Sequence, residues 1–424
     1  IQAEQNTVIR FDAFSPLCVQ GVAGSGKTTI ALHRMAWLLY QLQKTVLPQQ
    51  MLILAPNPLF LSYISRVLPD LGVDDVRQTT FPGLCRALMG KRMPRLMESA
   101  RLPERLQMDK AQRDELDNVL RRKGALSLRA ELAEFLTVWE HQCLPKADIK
   151  FLSRTLMTTA EIQRYFWKEF RHFPLESRVQ EVRKVLKKRL ARVCEETQAA
   201  LERKVDEMVQ KLMRTVADCP GRRARARLYY DTRDQRIQEL KDRQKAFFTE
   251  FDGLWGSMDL LTVYGAFWEW MAEKDAANEA VLTATRPALQ KKQAQAEDLP
   301  ALLILAQGLY GLNRMNVRQV VVDEAQDVSP LEVRVLRELF RTDAFTLVGD
   351  LCQGIYGDEG IRSWEDLSAG IFEKPVTVTR LGTAYRSTVE IMETAFSVIA
   401  RHPVAGEGAA RPVERHGESP SFFR

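Results

Sequence analysis

The stretch G-V-A-G-S-G-K-T at residues 21–28 decides the fold of this chain of 424 residues. It follows a short apolar run at 17–20 and precedes a segment, 30–42, whose apolar residues recur at helical spacing. A strand, a glycine-rich loop and a helix in this order match the G-x-x-x-x-G-K-[ST] pattern, whose backbone N–H groups face phosphate oxygens. A further apolar run at 51–55 adds a second strand. The sequence therefore predicts an α/β domain with a parallel sheet.

The residue types in this loop suit a nucleoside triphosphate with Mg²⁺. Lys27 would neutralise the outer phosphates, and the hydroxyl of Thr28 would bind the metal. The helix that follows would present the positive end of its dipole to the same anion. The alternative is a chance glycine turn, and the glycine and lysine positions that match the pattern argue against it.

An acidic pair follows another buried run near the end of the chain. The stretch V-V-V-D-E-A-Q-D at 320–327 places Asp323 and Glu324 directly after a strand predicted over 317–322. In an open parallel sheet, ligands gather at the carboxyl ends of the strands. Asp323 would hold Mg²⁺, and Glu324 would orient and deprotonate an attacking water, which makes the protein a hydrolase. The alternative is an acidic cluster that interacts only with a helix dipole.

The segment between these two motifs has a different character. Residues 91–250 hold 37 Lys and Arg against 25 Asp and Glu, and apolar residues recur at helical spacing over 176–217. This pattern predicts one long helix that ends at Pro220, followed by a second helix over 231–251 that runs back along it. The excess basic residues could bind a nucleic acid or an acidic protein surface, or they could lie on a solvated helical face. The predicted architecture is thus an α/β domain with a mainly helical insertion.

The composition excludes several classes of protein. Apolar residues make up 45% and charged residues 27% of the chain, ordinary values for a globular protein. No apolar run approaches the roughly 18 residues of a membrane helix, and the charged segment Ile1–Arg10 is not a signal peptide. The six scattered cysteines show no C-x-x-C spacing, which argues against a disulfide framework or a zinc site. We expect a cytoplasmic protein without membrane contact, and, because no Met begins the chain, a fragment.

Together these motifs resemble the UvrD/Rep-like branch of superfamily 1 helicases. Within it the chain resembles most the helicase IV-like HelD proteins, the ATPases that recycle RNA polymerase. The box D-E-A-Q-D at 323–327, the segment 349–357 and A-Y-R-S at 384–387 are similar to family motifs. The stretch Q-T-T-F-P-G-L at 78–84 resembles the family's segment near single-stranded DNA.

The resemblance implies a domain organisation and an activity. Residues 1–90 and 300–400 would form a RecA-like P-loop NTPase motor domain (1A), interrupted by the helical insertion over 91–299. Residues 401–424 would be a linker toward a second RecA-like domain. ATP and Mg²⁺ would be the cofactors. This chain alone would hydrolyse ATP weakly, because transition-state arginines, such as the one in that second domain, supply about 10³–10⁵ in rate.

The resemblance also assigns roles to single residues. Thr28 and Asp323 would bind the metal. Glu324 would activate water, Gln353 would couple the γ-phosphate to the nucleic-acid site, and Arg386 would contact the γ-phosphate. The nucleotide would be held by the phosphate loop, by the helix that follows it and by two adenine contacts. These residues are Gln5, Gly21, Val22, Ala23, Gly24, Ser25, Gly26, Lys27, Thr28, Thr29 and Tyr385.

Three positions expected to face DNA depart from the family pattern. Pro56 lies in the segment that usually supplies a stacking Phe, Pro82 replaces a His, and Asp358 replaces a Trp. Since base stacking on aromatic side chains contributes about 1–3 kcal/mol per base, these changes favour a protein client, the RNA polymerase core. The alternative is a conventional 3′-to-5′ DNA helicase that translocates on single-stranded DNA. A third possibility is a non-enzymatic wedge for which nucleotide is only a switch.

The expected contacts with a nucleic acid or protein partner form two groups. The first follows the helicase motifs and consists of Thr80, Phe81 and Tyr356. The second is the basic tract just beyond the first long helix, for which a solvated hairpin tip is the alternative interpretation. This tract consists of Arg222, Arg223, Arg225 and Arg227. We expect a monomer.

Overall fold

The computed structural model describes residues 3–97, 105, 107–354, 361, 363–367, 370–399 and 411–421. These residues form two compact units. The first comprises 1–135, 260–306 and 312–424, and the second comprises 136–259 and 307–311. The division into the motor domain 1A and an insertion over 91–299 stays a prediction.

A sheet of six parallel strands organises the first unit. Its strand order is β10-β1-β9-β8-β2-β3. The register places Val19 of β1 opposite Val348 of β9 and Thr379 of β10. The six strands are β1 (Leu17–Gly21), β2 (Met51–Leu54), β3 (Arg77–Thr79), β8 (Gln319–Asp323), β9 (Phe345–Gly349) and β10 (Thr377–Leu381). Every residue of β1, β2, β8 and β9 is buried, which confirms the predicted α/β fold with a parallel sheet.

The remaining strands pair in twos outside this sheet. Those of the first unit are parallel, with β4 beside β7 and β11 beside β12, and β5 pairs antiparallel with β6 in the second unit. They are β4 (Arg95–Leu96), β5 (Ile149–Phe151), β6 (Arg154–Met157), β7 (Gln293–Ala294), β11 (Thr383–Ala384) and β12 (Arg411–Pro412).

Helices supply most of the other described residues. They are α1 (Ala3–Ile9), α2 (Lys27–Gln41), α3 (Pro58–Asp70), α4 (Phe81–Met89), α5 (Lys110–Lys123), α6 (Ser127–Gln142), α7 (Thr159–Arg164), α8 (Leu175–Thr215), α9 (Pro220–Asp252), α10 (Leu260–Lys274), α11 (Glu279–Gln290), α12 (Leu299–Tyr310), α13 (Pro330–Phe340) and α14 (Val389–Ile399). Among these described helices, none is both long and apolar enough to cross a membrane.

The core of the first unit lies around the sheet. Apolar residues of α1, α2 and α3 pack against β1, β2, β8 and β9 in one buried cluster, which includes Val8, Met35, Ile53, Ile64 and Val348. Because α2 follows the loop 21–26 directly, this packing fixes the position of the loop at the carboxyl end of β1. The acidic pair at the end of β8 lies at the same edge, since the strands are parallel.

The second unit is built around two long helices. α8 has 41 residues and α9 has 33, and they pack along each other as the predicted hairpin. The prediction that Pro220 ends the first helix is wrong, because α8 ends at Thr215 and Pro220 opens α9. Proline is tolerated in a first helical turn, where its missing N–H has no partner to lose. Cys219 caps this helix by accepting the N–H of Arg222.

Candidate nucleotide site

The loop between β1 and α2 encloses the amine of Lys27. Nζ of Lys27 donates to the carbonyl oxygens of Gly21 at 2.8 Å and Val22 at 3.3 Å. Gly24 and Gly26 have φ values of 76° and 81°, in the left-handed region that glycine adopts without strain. The loop thus needs glycine at these positions.

The cradle that the loop forms fits a phosphate group. Ser25 is 1% exposed, and its Oγ has no hydrogen-bond partner among the described residues. A buried hydroxyl without a partner costs free energy, which a ligand oxygen would recover. A Cβ on Gly21 would lie 2.5 Å from this Oγ, so the cradle requires glycine there as well. These features agree with an anion at the start of α2.

Two predicted metal ligands that are far apart in sequence lie in contact. The Thr28 hydroxyl donates to Oδ2 of Asp323 at 2.8 Å, across 295 positions of sequence. Asp323 is 4% exposed, and burial raises the pKa of its carboxyl to about 6. A hydroxyl and a carboxylate suit Mg²⁺, which usually binds through one or two protein ligands together with phosphates and water. The described residues contain no cluster of three or more His, Cys, Asp or Glu that could hold a metal by itself.

The second carboxylate, Glu324, is held in a strained conformation. Its φ of 51° and ψ of 44° place it in the left-handed region, which is uncommon for residues other than glycine. Its side chain accepts a hydrogen bond from Nε2 of Gln326 at 2.8 Å. Glu324 and Asp323 both line a cavity of about 260 Å³. Such strain, held by the surrounding structure, is common at functional sites.

A buried polar network joins the acidic box to the predicted coupling residue. Oε1 of Gln326 accepts the N–H of Asp350 at 2.9 Å. The Asp350 carboxylate accepts from Gln353 through one oxygen and, at 2.9 Å, from Gln20 through the other. Gln20, Gln326 and Asp350 were not among the predicted site residues. Gln326 and Asp350 lie in the two segments that resemble family motifs, whereas the only sequence signal of Gln20 was its polar character near the end of a strand.

Of the predicted adenine and γ-phosphate contacts, Tyr385 and Arg386 lie beside the loop. The N–H of Tyr385 donates to the carbonyl oxygen of Gly24 at 2.9 Å. A Cβ on Gly24 would lie 2.6 Å from Cβ of Arg386, so the segment 384–387 packs directly on the loop. Tyr385 is 37% exposed, which leaves part of its ring accessible. Gln5 lies half-buried on α1, which packs against α2.

Two of the predicted contacts with a nucleic acid or protein partner, Thr80 and Phe81, lie at the start of α4. Thr80 caps α4 by accepting the N–H of Gly83 at 3.2 Å, and Phe81 is buried at 8% exposure. Both residues therefore have structural roles. Tyr356 lies outside the described residues. The contact of these three residues with a nucleic acid or protein stays a prediction.

The basic tract lies at the beginning of α9. Asp218 binds Arg222 at 2.6 Å and Arg223 at 2.7 Å, whereas Arg227 lies 4.0 Å from Asp231. Arg223, Arg225 and Arg227 are exposed. Val209, Leu212 and Ala226 form a small apolar cluster that anchors this end of the hairpin, and Tyr229 and Tyr230 pack against it.

A parallel sheet that carries a phosphate loop and two carboxylates at one edge is typical of P-loop nucleotide-binding proteins. The family described as UvrD/REP helicase N-terminal domain matches residues 1–360, and the chain belongs to this family. The ATP-dependent DNA helicases UvrD2 of Mycobacterium bovis and Mycobacterium tuberculosis are similar to this chain. They are 40% identical over 109 residues, which cover 25% of this chain and 16% of those proteins.

Proposed function

We propose that the chain binds Mg²⁺-ATP and hydrolyses ATP as the motor of a UvrD-like, nucleic-acid-dependent enzyme. The observation that carries the proposal is the 2.8 Å contact between Thr28, directly after the loop lysine, and the buried carboxylate of Asp323. Two chain segments with complementary phosphate and metal chemistry meet at one edge of the sheet. This arrangement is the one that phosphoryl transfer by P-loop proteins needs.

The residues have separate roles in this proposal. The loop N–H groups and Lys27 bind the phosphate oxygens, and Ser25 donates its unused hydroxyl to the same group. Thr28 and Asp323 would hold Mg²⁺, which supplies positive charge to the phosphates when bound. Glu324 accepts a proton from the attacking water, while its bond from Gln326 fixes the carboxylate.

Binding and hydrolysis can be separated by two substitutions. Lys27→Ala removes the phosphate charge partner, so ATP affinity should fall at least about tenfold, as for the removal of a charged hydrogen bond. Glu324→Gln keeps the shape of the side chain but cannot accept the proton, so ATP should bind while single-turnover hydrolysis is abolished. Unchanged ATP binding by Lys27→Ala, or unchanged hydrolysis by Glu324→Gln, would contradict the proposal.

The client of the motor is a second question. A conventional 3′-to-5′ helicase that acts on single-stranded DNA agrees with the family and with the UvrD2 relatives. Remodelling of RNA polymerase–nucleic acid complexes, as in HelD-like proteins, is favoured by Pro56 and by the hairpin. Residues 209–230 of that hairpin carry six Lys and Arg and one Asp. Such a basic tip would suit a channel that holds nucleic acid.

The two clients can be distinguished by ATP hydrolysis. Rates should be compared with single-stranded DNA alone and with core RNA polymerase alone. Strong stimulation by DNA would support the conventional helicase. Stimulation by the polymerase with little effect of naked DNA would support the remodelling function. A Lys27→Ala chain that keeps its full effect on the polymerase would instead indicate a wedge that does not need ATP.

A further inference from the structure

A buried arginine on the helix after the phosphate loop binds the end of the first helix. Arg34 of α2 is 1% exposed. Its Nη1 donates to the carbonyl oxygens of Val8 at 3.0 Å, Ile9 at 3.1 Å and Phe11 at 2.8 Å, and its Nη2 donates to that of Asp12 at 2.8 Å. These four carbonyl groups lie at and just beyond the end of α1.

This arrangement gives hydrogen-bond partners both to the guanidinium of Arg34 and to the carbonyl groups at the end of α1. The last carbonyl groups of a helix have no partners within the helix, and they form its negative end. A buried guanidinium, in turn, needs acceptors for its donors. The third nitrogen of the guanidinium, Nε, donates to Oγ1 of Thr346 on β9 at 3.0 Å. Burial lowers the pKa of Arg34 to about 10, so the group remains charged at neutral pH. One side chain therefore joins α1, α2 and the central sheet.

The helix that Arg34 fixes carries the predicted adenine contact. Gln5 lies on α1, and its neighbour Glu4 accepts the N–H of Gly382 at 3.4 Å. Gly382 lies three residues before Tyr385 in the sequence. The N–H of Tyr385 donates to the carbonyl oxygen of Gly24 in the phosphate loop. A hydrogen bond thus joins α1, which carries Gln5, to the segment that carries Tyr385, and that segment in turn binds the loop.

We propose that Arg34 is a positioning residue for base selectivity, which fixes the distance of Gln5 from the phosphate loop. Arg34 does not touch the nucleotide; it acts by holding α1 to the helix that carries Lys27. The inference rests on the proposed nucleotide binding. If it holds, substitution of Arg34 weakens recognition of the base while the phosphate loop keeps its own affinity.

The test compares the binding of Mg²⁺-ATP, Mg²⁺-GTP and inorganic tripolyphosphate to the folded chain. Arg34→Lys keeps the charge but cannot reach four carbonyl groups. We expect it to weaken ATP binding about tenfold, the scale of one hydrogen bond, with GTP and tripolyphosphate affinities within about twofold. Thr346→Val removes only the Nε acceptor and should have a smaller effect in the same direction. Arg10→Lys, an exposed residue just after α1, is the matched control and should change none of the three affinities.

A double-mutant cycle with Gln5→Ala separates positioning from general stability. In the Gln5→Ala background, Arg34→Lys should have no further effect on the ratio of ATP to GTP affinity. Equal weakening of ATP and tripolyphosphate, or an undiminished change of the ratio without Gln5, would overturn the inference and leave Arg34 a purely structural residue. Failure of the wild-type chain to bind either ATP or tripolyphosphate would instead reject the proposed function itself.

Discussion

The side-chain amide of Gln20 donates to Oδ1 of Asp350 at 2.9 Å, and both residues are 2% exposed. Gln20 is the last residue before the phosphate loop. Its Oε1 also accepts the N–H of Leu351 at 3.3 Å and Nε1–H of Trp364 at 2.9 Å. Since Asp350 binds Gln353 as well, one amide connects the loop to the segment with the predicted coupling residue.

Gln20→Leu should therefore destabilise the first unit strongly. The substitution keeps the approximate volume but leaves the Asp350 carboxylate and the Trp364 N–H without this partner. Buried groups that are deprived of a partner cost about 1–3 kcal/mol each, so we expect a decrease of about 3 kcal/mol in the free energy of unfolding. Urea denaturation measures it. Gln43→Leu, an exposed glutamine after α2, is the control and should change stability by less than about 0.5 kcal/mol. Equal stability of the two variants would show that the network contributes little.

A buried ion pair gives a second prediction. Lys123 and Asp298 lie 2.7 Å apart with side chains 1% and 0% exposed, and Asp298 also accepts from Tyr264 at 2.8 Å. Removing one partner of such a pair leaves a buried charge, so Lys123→Met should cost about 3–5 kcal/mol. Lys91→Met, at an exposed position, should cost less than about 0.5 kcal/mol.

Neutralising the partner checks the cause of this destabilisation. In Lys123→Met/Asp298→Asn the uncompensated charge is absent, so part of the stability should return. A double variant as unstable as the sum of its single variants would indicate a packing defect rather than an unpaired charge.

The raised pKa of Asp323 predicts a dependence of stability on pH. Its value of about 6 exceeds the ordinary value near 3.9, because burial disfavours the carboxylate. The folded chain thus holds this proton more tightly than the unfolded chain. The protonated carboxyl therefore contributes about 3 kcal/mol to the free energy of unfolding below pH 4, and this contribution is lost as the pH rises to 6.

The Asp323→Asn variant isolates this effect. Free energies of unfolding should be measured without Mg²⁺ between pH 4 and 7, and the difference between wild type and variant plotted against pH. Contributions common to both chains, such as that of Glu332, whose pKa is raised to about 8 by burial, then cancel. A difference that does not change with pH would contradict the assignment. In wild type, Mg²⁺-dependent nucleotide binding should weaken as the pH falls below 6, because the metal needs the carboxylate.

The parts of the site that could be predicted from sequence are those whose chemistry is local. The loop at 21–28 and the acidic pair after β8 each contain their glycines, lysine or carboxylates within a few positions. Buried apolar runs likewise predicted β1, β2 and β8, with bounds correct within two residues. The contacts of Gln20 and Arg34 could not be predicted, because their partners are chosen by the packing of distant segments. A polar residue in an apolar run shows that a partner exists but not which one.

The basic tip of the hairpin gives the last prediction. Arg223, Arg225 and Arg227 are exposed, whereas Tyr229 and Tyr230 pack against the small apolar cluster of the tip. The tip should therefore contact phosphates without stacking on bases, and bind nucleic acid without preference for sequence. Log K falls as log salt rises, and changing the three arginines to Glu should make this slope less steep by about 0.7–0.9 for each phosphate that the tip no longer neutralises.

The control is the reversal of Lys241, Arg243 and Lys245, which are exposed residues toward the other end of α9. It makes the same change of charge and should alter the slope less. An equal fall of the slope for both triple variants would mean that only net charge matters. An unchanged slope together with weaker binding to RNA polymerase would indicate that the tip meets an acidic protein surface.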